Sequence, residues 1–141
     1  MRAGPQDAPK RIGRPRGLKG AAVEEAVVEL TTTVRKSGDV SILDLEGRAT
    51  LGEGSERLAA ELLELIGGGA RKILVNLRGT RQMDSSGISA LVRAYVSLRR
   101  SGGSLRLLAP QGRVRTVLTV TRLLKVIPVF DDEAAALDSF K

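Results

Sequence analysis

Residues 72–103 read KILVNLRGTRQMDSSGISALVRAYVSLRRSGG, and one periodicity gives way to another within that stretch. Lys72-Ile73-Leu74-Val75-Asn76-Leu77 is a short, almost wholly apolar run of the kind that makes a central strand covered on both faces. After Asp84, apolar residues recur at Ile88, Leu91, Val92, Tyr95 and Val96, the i, i+3, i+4, i+7, i+8 stripe of an amphipathic helix. Arg99 and Arg100 suit the negative end of that helix's dipole, and Gly102-Gly103 stops it. A buried strand feeding an amphipathic helix is the unit of a sheet with crossover helices.

Working outward, the flanks fit the same plan. Val28, Leu30, Thr32 and Val34 alternate, Ser37-Gly38-Asp39 makes a turn, and Val40-Ser41-Ile42-Leu43-Asp44-Leu45 follows, which reads as a β-hairpin. From Gly52 to Ile66 the leucines Leu58 and Leu62 and then Ile66 fall at helical spacing, flanked by Ala59 and Leu63, before the stop at Gly67-Gly68-Gly69. Leu105 to Leu108 reads as a strand. Val114, Val117 and Leu118 mark a short helix extending towards Arg122, Ile127 to Phe130 a last strand, and Asp131 the cap of a helix through Leu137. The order β-β-α-β-α-β-α-β-α predicts an α/β fold with a mixed sheet and crossover helices, and no internal repeat is visible.

At 141 residues, 42% hydrophobic and 28% charged, the chain fits a single globular domain. One Tyr, two Phe and no Trp leave the core to aliphatic side chains. With no Cys and no His, disulfides, thiolate nucleophiles, thiol or imidazole metal sites and His-assisted triads are excluded. The net charge of +7 is unevenly spread: residues 1–20 carry six cations against Asp7, a net of +5, while the rest holds 17 basic and 15 acidic residues. Residues 1–22, rich in Gly, Pro and cations, read as a disordered basic tail, and 23–141 as the folded domain. No apolar run approaches the roughly 20 residues of a membrane helix, and Glu24 and Glu25 interrupt the stretch after the basic leader, so a cytoplasmic protein is expected.

Candidate chemistry centres on Met83-Asp84-Ser85-Ser86-Gly87, at the junction of strand and helix. A helix start leaves backbone N–H groups unpaired and carries partial positive charge, so a serine there accepts a phosphate at little electrostatic cost. On spacing alone two readings stand: Asp84 or Ser85 as a plain N-cap, or Ser85 as a modified serine, with Ser86 and Ser89 as alternative acceptors. No Gly-x-x-x-x-Gly-Lys-Ser/Thr loop is present, and Gly52-Glu53-Gly54 reads as a helix-entry turn. Arg78 and Arg81, close in sequence to Ser85, leave two readings, solvated loop charge, which is favoured, or a charge-assisted pair with a phosphate on Ser85. Arg93, Arg99 and Arg100 read as solvated helix-surface cations, with a basic partner face as the alternative, and Tyr95 as packing.

The strand Ile73-Leu74-Val75-Asn76-Leu77, then Met83-Asp84-Ser85-Ser86-Gly87, then Arg99-Arg100-Ser101-Gly102-Gly103-Ser104-Leu105-Arg106-Leu107 and Val114-Arg115-Thr116-Val117-Leu118, together resemble the STAS domain of bacterial anti-sigma factor antagonists, over roughly Leu30 to Leu137. The resemblance implies a non-enzymatic binding protein whose partner is an anti-sigma factor with serine kinase activity and, indirectly, a sigma factor. It implies phosphorylation of the serine after the aspartate, which is Ser85, with ATP and Mg²⁺ supplied by the partner and no cofactor of its own. Asp84, Ser85, Ser86 and Gly87, with Arg48 and Thr50 from the turn after the second strand, would then form the partner surface. The chain departs from the family pattern at Arg48-Ala49-Thr50, where sporulation-type antagonists carry an acidic residue, and at Thr80 and Gln82, where the family is usually apolar. The same resemblance covers scaffold subunits of stress-signalling or lipid-transport complexes. Separately, Lys10-Arg11-Ile12-Gly13-Arg14-Pro15-Arg16-Gly17 resembles an AT-hook, which makes Arg11, Arg14 and Arg16 candidate DNA contacts and a DNA-associated regulator a third reading.

Overall fold

The computed structural model describes residues 29–141, so Arg11, Arg14, Arg16 and the rest of the basic tail, with Val28, lie outside the described residues. In chain order the elements are β1 (Leu30–Ser37), β2 (Val40–Ala49), α1 (Glu53–Gly67), β3 (Lys72–Met83), α2 (Ser85–Arg100), β4 (Ser104–Leu108), α3 (Gly112–Val120), a 3₁₀ turn (Leu123–Lys125), β5 (Val129–Phe130) and α4 (Glu133–Asp138). The order matches the sequence reading. The five strands lie side by side in chain order, β1 antiparallel to β2 and every later neighbour parallel.

That strand order decides where the helices go. Crossovers between parallel neighbours turn right-handed almost without exception, so a sheet that grows in one direction receives all its crossover helices on one face. Leu58 and Leu62 of α1, Leu91 and Leu98 of α2 and Val114 and Leu118 of α3 accordingly share one core with Leu43, Leu45, Ile73, Val75, Leu77, Leu105 and Leu107 of the sheet. The opposite face is thinly covered. There the short α4 and the residues after it lay Ala136 and Phe140 on Val40, Ile42, Leu74 and Leu108. At the edge of this cover, Arg35 of β1 forks onto both carboxylate oxygens of Asp44 and onto Glu133, and Asn76 donates to Asp44 at 2.8 Å.

β3 is longer than its apolar run. Lys72 to Asn76 pair with β4, but beyond Leu77 the strand continues to Met83 paired with β2 alone, across register shifts at Asp44/Glu46 and Gly47/Arg48. Arg78 and Arg81 therefore stand on a strand and not in a loop. The helix starting at Gly112 ends at Val120, because Arg122 adopts a left-handed conformation (φ 63°) and the chain tightens into the 3₁₀ turn. The cap of α4 is Asp132, which accepts from the Ala135 N–H at 2.9 Å, in place of Asp131. Asp131 is instead ion-paired to Arg115 at 2.6 Å.

Candidate functional site

The carboxyl ends of β2 and β3 open at one end of the sheet, and the start of α2 and the turn before α1 meet there. Asp84 joins them. Its backbone is extended, as an N-cap requires, and its Oδ1 accepts from the Ser86 N–H at 2.9 Å, the Gly87 N–H at 3.4 Å and the Ser86 hydroxyl. Its Oδ2 accepts the Leu51 N–H at 2.8 Å, from a turn 33 residues earlier in the chain. The Ser86 hydroxyl, followed by these backbone donors, holds the Asp84 carboxyl below its ordinary range, against an opposing effect of desolvation. One carboxylate thus caps a helix and fixes the neighbouring turn.

Around that anchor the three hydroxyls of the motif separate. The Ser86 hydroxyl is bound to Asp84 and the residue is half-buried, whereas Ser85, the first residue of α2, is exposed. Ser89, one turn further in, is exposed too. Ser85 combines exposure with a place at the helix mouth, where added negative charge is best tolerated. Gly87 is buried, and its lack of a side chain matters for packing, since a Cβ there would stand 2.5 Å from the Ala49 carbonyl oxygen and 2.9 Å from Met83 Cγ. The start of α2 approaches the end of β2 this closely only because residue 87 is a glycine.

Arg48 and Thr50 flank the same end. The Thr50 hydroxyl donates to Glu29 at 3.3 Å and Arg48 pairs with the same carboxylate at 3.5 Å, so both are steadied by the residue leading into β1. Gly47 lets that happen: its φ is +116°, and a Cβ would lie 2.2 Å from the Glu29 carbonyl oxygen, which accepts the Arg48 N–H. Leu51, which no sequence pattern singles out, joins these residues at the site; its side chain is 82% exposed while its N–H is held by Asp84. Arg78 reaches towards the Asp131 carbonyl at 3.5 Å, and Arg81 is exposed. Thr80 is 3% exposed and its hydroxyl has no partner among the described residues, so this polar departure from the family pattern is packed inside. Tyr95 is partly buried against the main core and accepts a hydrogen bond from Arg99 at 2.9 Å.

Known proteins share this fold. The family model described as STAS domain matches residues 31–136. Among curated relatives, an anti-sigma F factor antagonist of Paenibacillus polymyxa is 29% identical over 65 residues, 46% of this chain and 56% of the relative. A Thermotoga neapolitana protein, named as a candidate anti-sigma factor antagonist, is 31% identical over 75 residues, 53% of this chain and 66% of the relative. These matches span between about half and two thirds of the relatives' own lengths. Among solved structures, an anti-sigma factor antagonist of Mycobacterium paratuberculosis superposes with TM-score 0.72 at 19% identity, over 83% of this chain and 98% of the other. The phosphorylated form of the Bacillus cell fate determinant SpoIIAA gives 0.62 at 22%, over 79% and 100%. With the family model spanning most of the chain and the sheet, helix order and Asp84-capped helix start in place, the protein belongs to the STAS domain family.

Proposed function

We propose that this chain is an anti-sigma factor antagonist, a binding protein that docks on an anti-sigma factor with serine kinase activity and is switched off by phosphorylation of Ser85. The observation that carries the reading is the exposed Ser85 at the start of α2, beside an Asp84 that also fixes the turn bearing Leu51. The names of the curated relatives support the partner class. Unmodified, Ser85, Leu51, Thr50 and Arg48 form a mixed polar and apolar end of the domain on which a partner seats, and the sigma factor goes free.

A phosphate on Ser85 adds about −1.5 to −2 charge beside the ionised Asp84. The helix start stabilises that charge in the free domain, but burying the doubled anion under a partner strips its water and docking fails. ATP and Mg²⁺ belong to the partner; this chain's part is to hold the hydroxyl out and keep the surrounding backbone fixed. The test is a binding measurement on the anti-sigma kinase with two variants. Ser85→Ala keeps affinity within a few-fold of the parent and cannot be modified, whereas Ser85→Asp loses it by an order of magnitude or more. Equal affinities for the two variants would contradict the electrostatic switch.

A further inference from the structure

The helix layer carries a second feature that the Ser85 site does not use. α1 and α2 follow parallel neighbouring strands, so they run side by side in the same direction, and between them lies a groove of about 320 Å³. Its lining is mostly apolar, from Ala59, Leu62, Leu63 and Ile66 of α1 to Ala90 and Ala94 of α2, with Arg93 and Ser97 adding polar groups on the α2 side. Leu63 at its rim is 73% exposed, which is unusual for a leucine in the middle of a helix. The two walls of this groove have opposite charge. α1 carries Glu53, Glu56, Glu61 and Glu64 against Arg57 alone, and α2 carries Arg93, Arg99 and Arg100 with no acid. Glu56, Glu64, Arg93 and Arg100 are all exposed, and none of the four is in an ion pair among the described residues.

We infer that the α1/α2 face is the docking site for a second copy of this chain. A two-fold axis running along the groove places α1 of each copy over α2 of the other, so each acidic helix meets a basic one and Leu63 of both copies enters the shared groove. The perpendicular two-fold axis would set acid on acid and base on base, which selects the first arrangement. Because the axis is parallel to the helices, both copies present the Ser85 end on the same side of the pair. This pairing depends on the charge and shape of the face and stands whether or not Ser85 is modified.

Sedimentation of the full chain and of two charge variants tests it. The parent chain associates to a dimer that weakens as salt is raised. Arg93→Glu/Arg100→Glu makes both helices acidic and Glu56→Arg/Glu64→Arg makes both basic, so each alone raises the dimer dissociation constant about tenfold or more. Mixed one to one, the two variants pair with each other and recover the dimer. Circular dichroism of each variant checks that these surface changes leave the fold intact, and Arg93→Lys/Arg100→Lys retains the parent's association. A parent chain that stays monomeric throughout the micromolar range overturns the proposal. So does a dimer indifferent to the charge variants, which would place its contact elsewhere, as on the open edge of β1.

Discussion

Asp84 and Asp132 each cap the start of a helix, and the difference between them separates a local start signal from a tether between two chain segments. The Asp132 carboxylate accepts one hydrogen bond, from Ala135 within its own helix, at the start of the six-residue α4. The Asp84 carboxylate accepts four, three from the first turn of α2 and one from Leu51 across the sheet's end. Capping chemistry is the same in both. What differs is that Asp84 sits where β2 and β3 have been carried past their neighbours, so a second backbone segment comes within reach. Ser85 is therefore held in a surface built from two segments, and not merely at a helix end.

Breaking the close approach under Asp84 should have the largest effect. Gly87→Ala forces a Cβ against the Ala49 carbonyl and Met83, and should cost about 2–3 kcal/mol of stability in urea unfolding. Asp84→Ala removes a cap and the tether to the Leu51 N–H, which water then satisfies, for about 1–2 kcal/mol, whereas Asp132→Ala should cost about 1 kcal/mol or less. Equal costs for the two aspartates would erase the distinction between them. Asp84→Ala should also weaken partner docking beyond its effect on stability, because the turn at Leu51 is released; Asp132→Ala should leave docking unchanged.

The pH dependence sharpens the same contrast. The Asp84 carboxyl is lowered in the folded protein, so its ionised form stabilises the fold above the unfolded carboxyl pKa, and that contribution is lost as pH falls through the lower folded value. The stability gap between the parent and Asp84→Asn should therefore be full near neutrality and shrink on acidification below about pH 4. A gap that widened in acid would contradict the assignment. The smallest effect is expected for Ser85→Asp, whose stability should stay within about 0.5 kcal/mol of the parent or rise slightly, a charge at a helix start being favourable. Loss of docking without loss of stability is what distinguishes position 85 from position 84.

Much of the fold is legible in the sequence wherever burial imposes a period. The run Ile73-Leu74-Val75 and Leu77 are apolar because they are covered on both faces, whereas the stripe from Ile88 to Val96 is offset from the side of α2 that meets the sheet. The buried face is Gly87, Ala90, Leu91, Ala94 and Leu98, while Ile88, Val92 and Tyr95 are only partly buried at its margin and Val96 is exposed. The extension of β3 is not legible: residues 78–82 pair on one side only, escape two-sided burial and carry mostly polar side chains. The break at Arg122 hides among residues that would continue a helix, and adjacent Asp131 and Asp132 are chemically equal as caps until Arg115 claims one of them. At the site, the Asp-Ser-Ser-Gly helix start can be read directly. Leu51 cannot, since an exposed leucine in a turn has no period, and its link to Asp84 exists only in the folded chain.

The proposed switch comes down to one hydroxyl, and phosphate mapping addresses it most directly. When the purified protein is incubated with its anti-sigma kinase, ATP and Mg²⁺ and measured by mass spectrometry, one phosphate is expected on Ser85 and none on the Ser85→Ala variant. Incorporation at Ser86 or Ser89 with Ser85 unmodified, or no incorporation by a kinase that binds the protein, would contradict it.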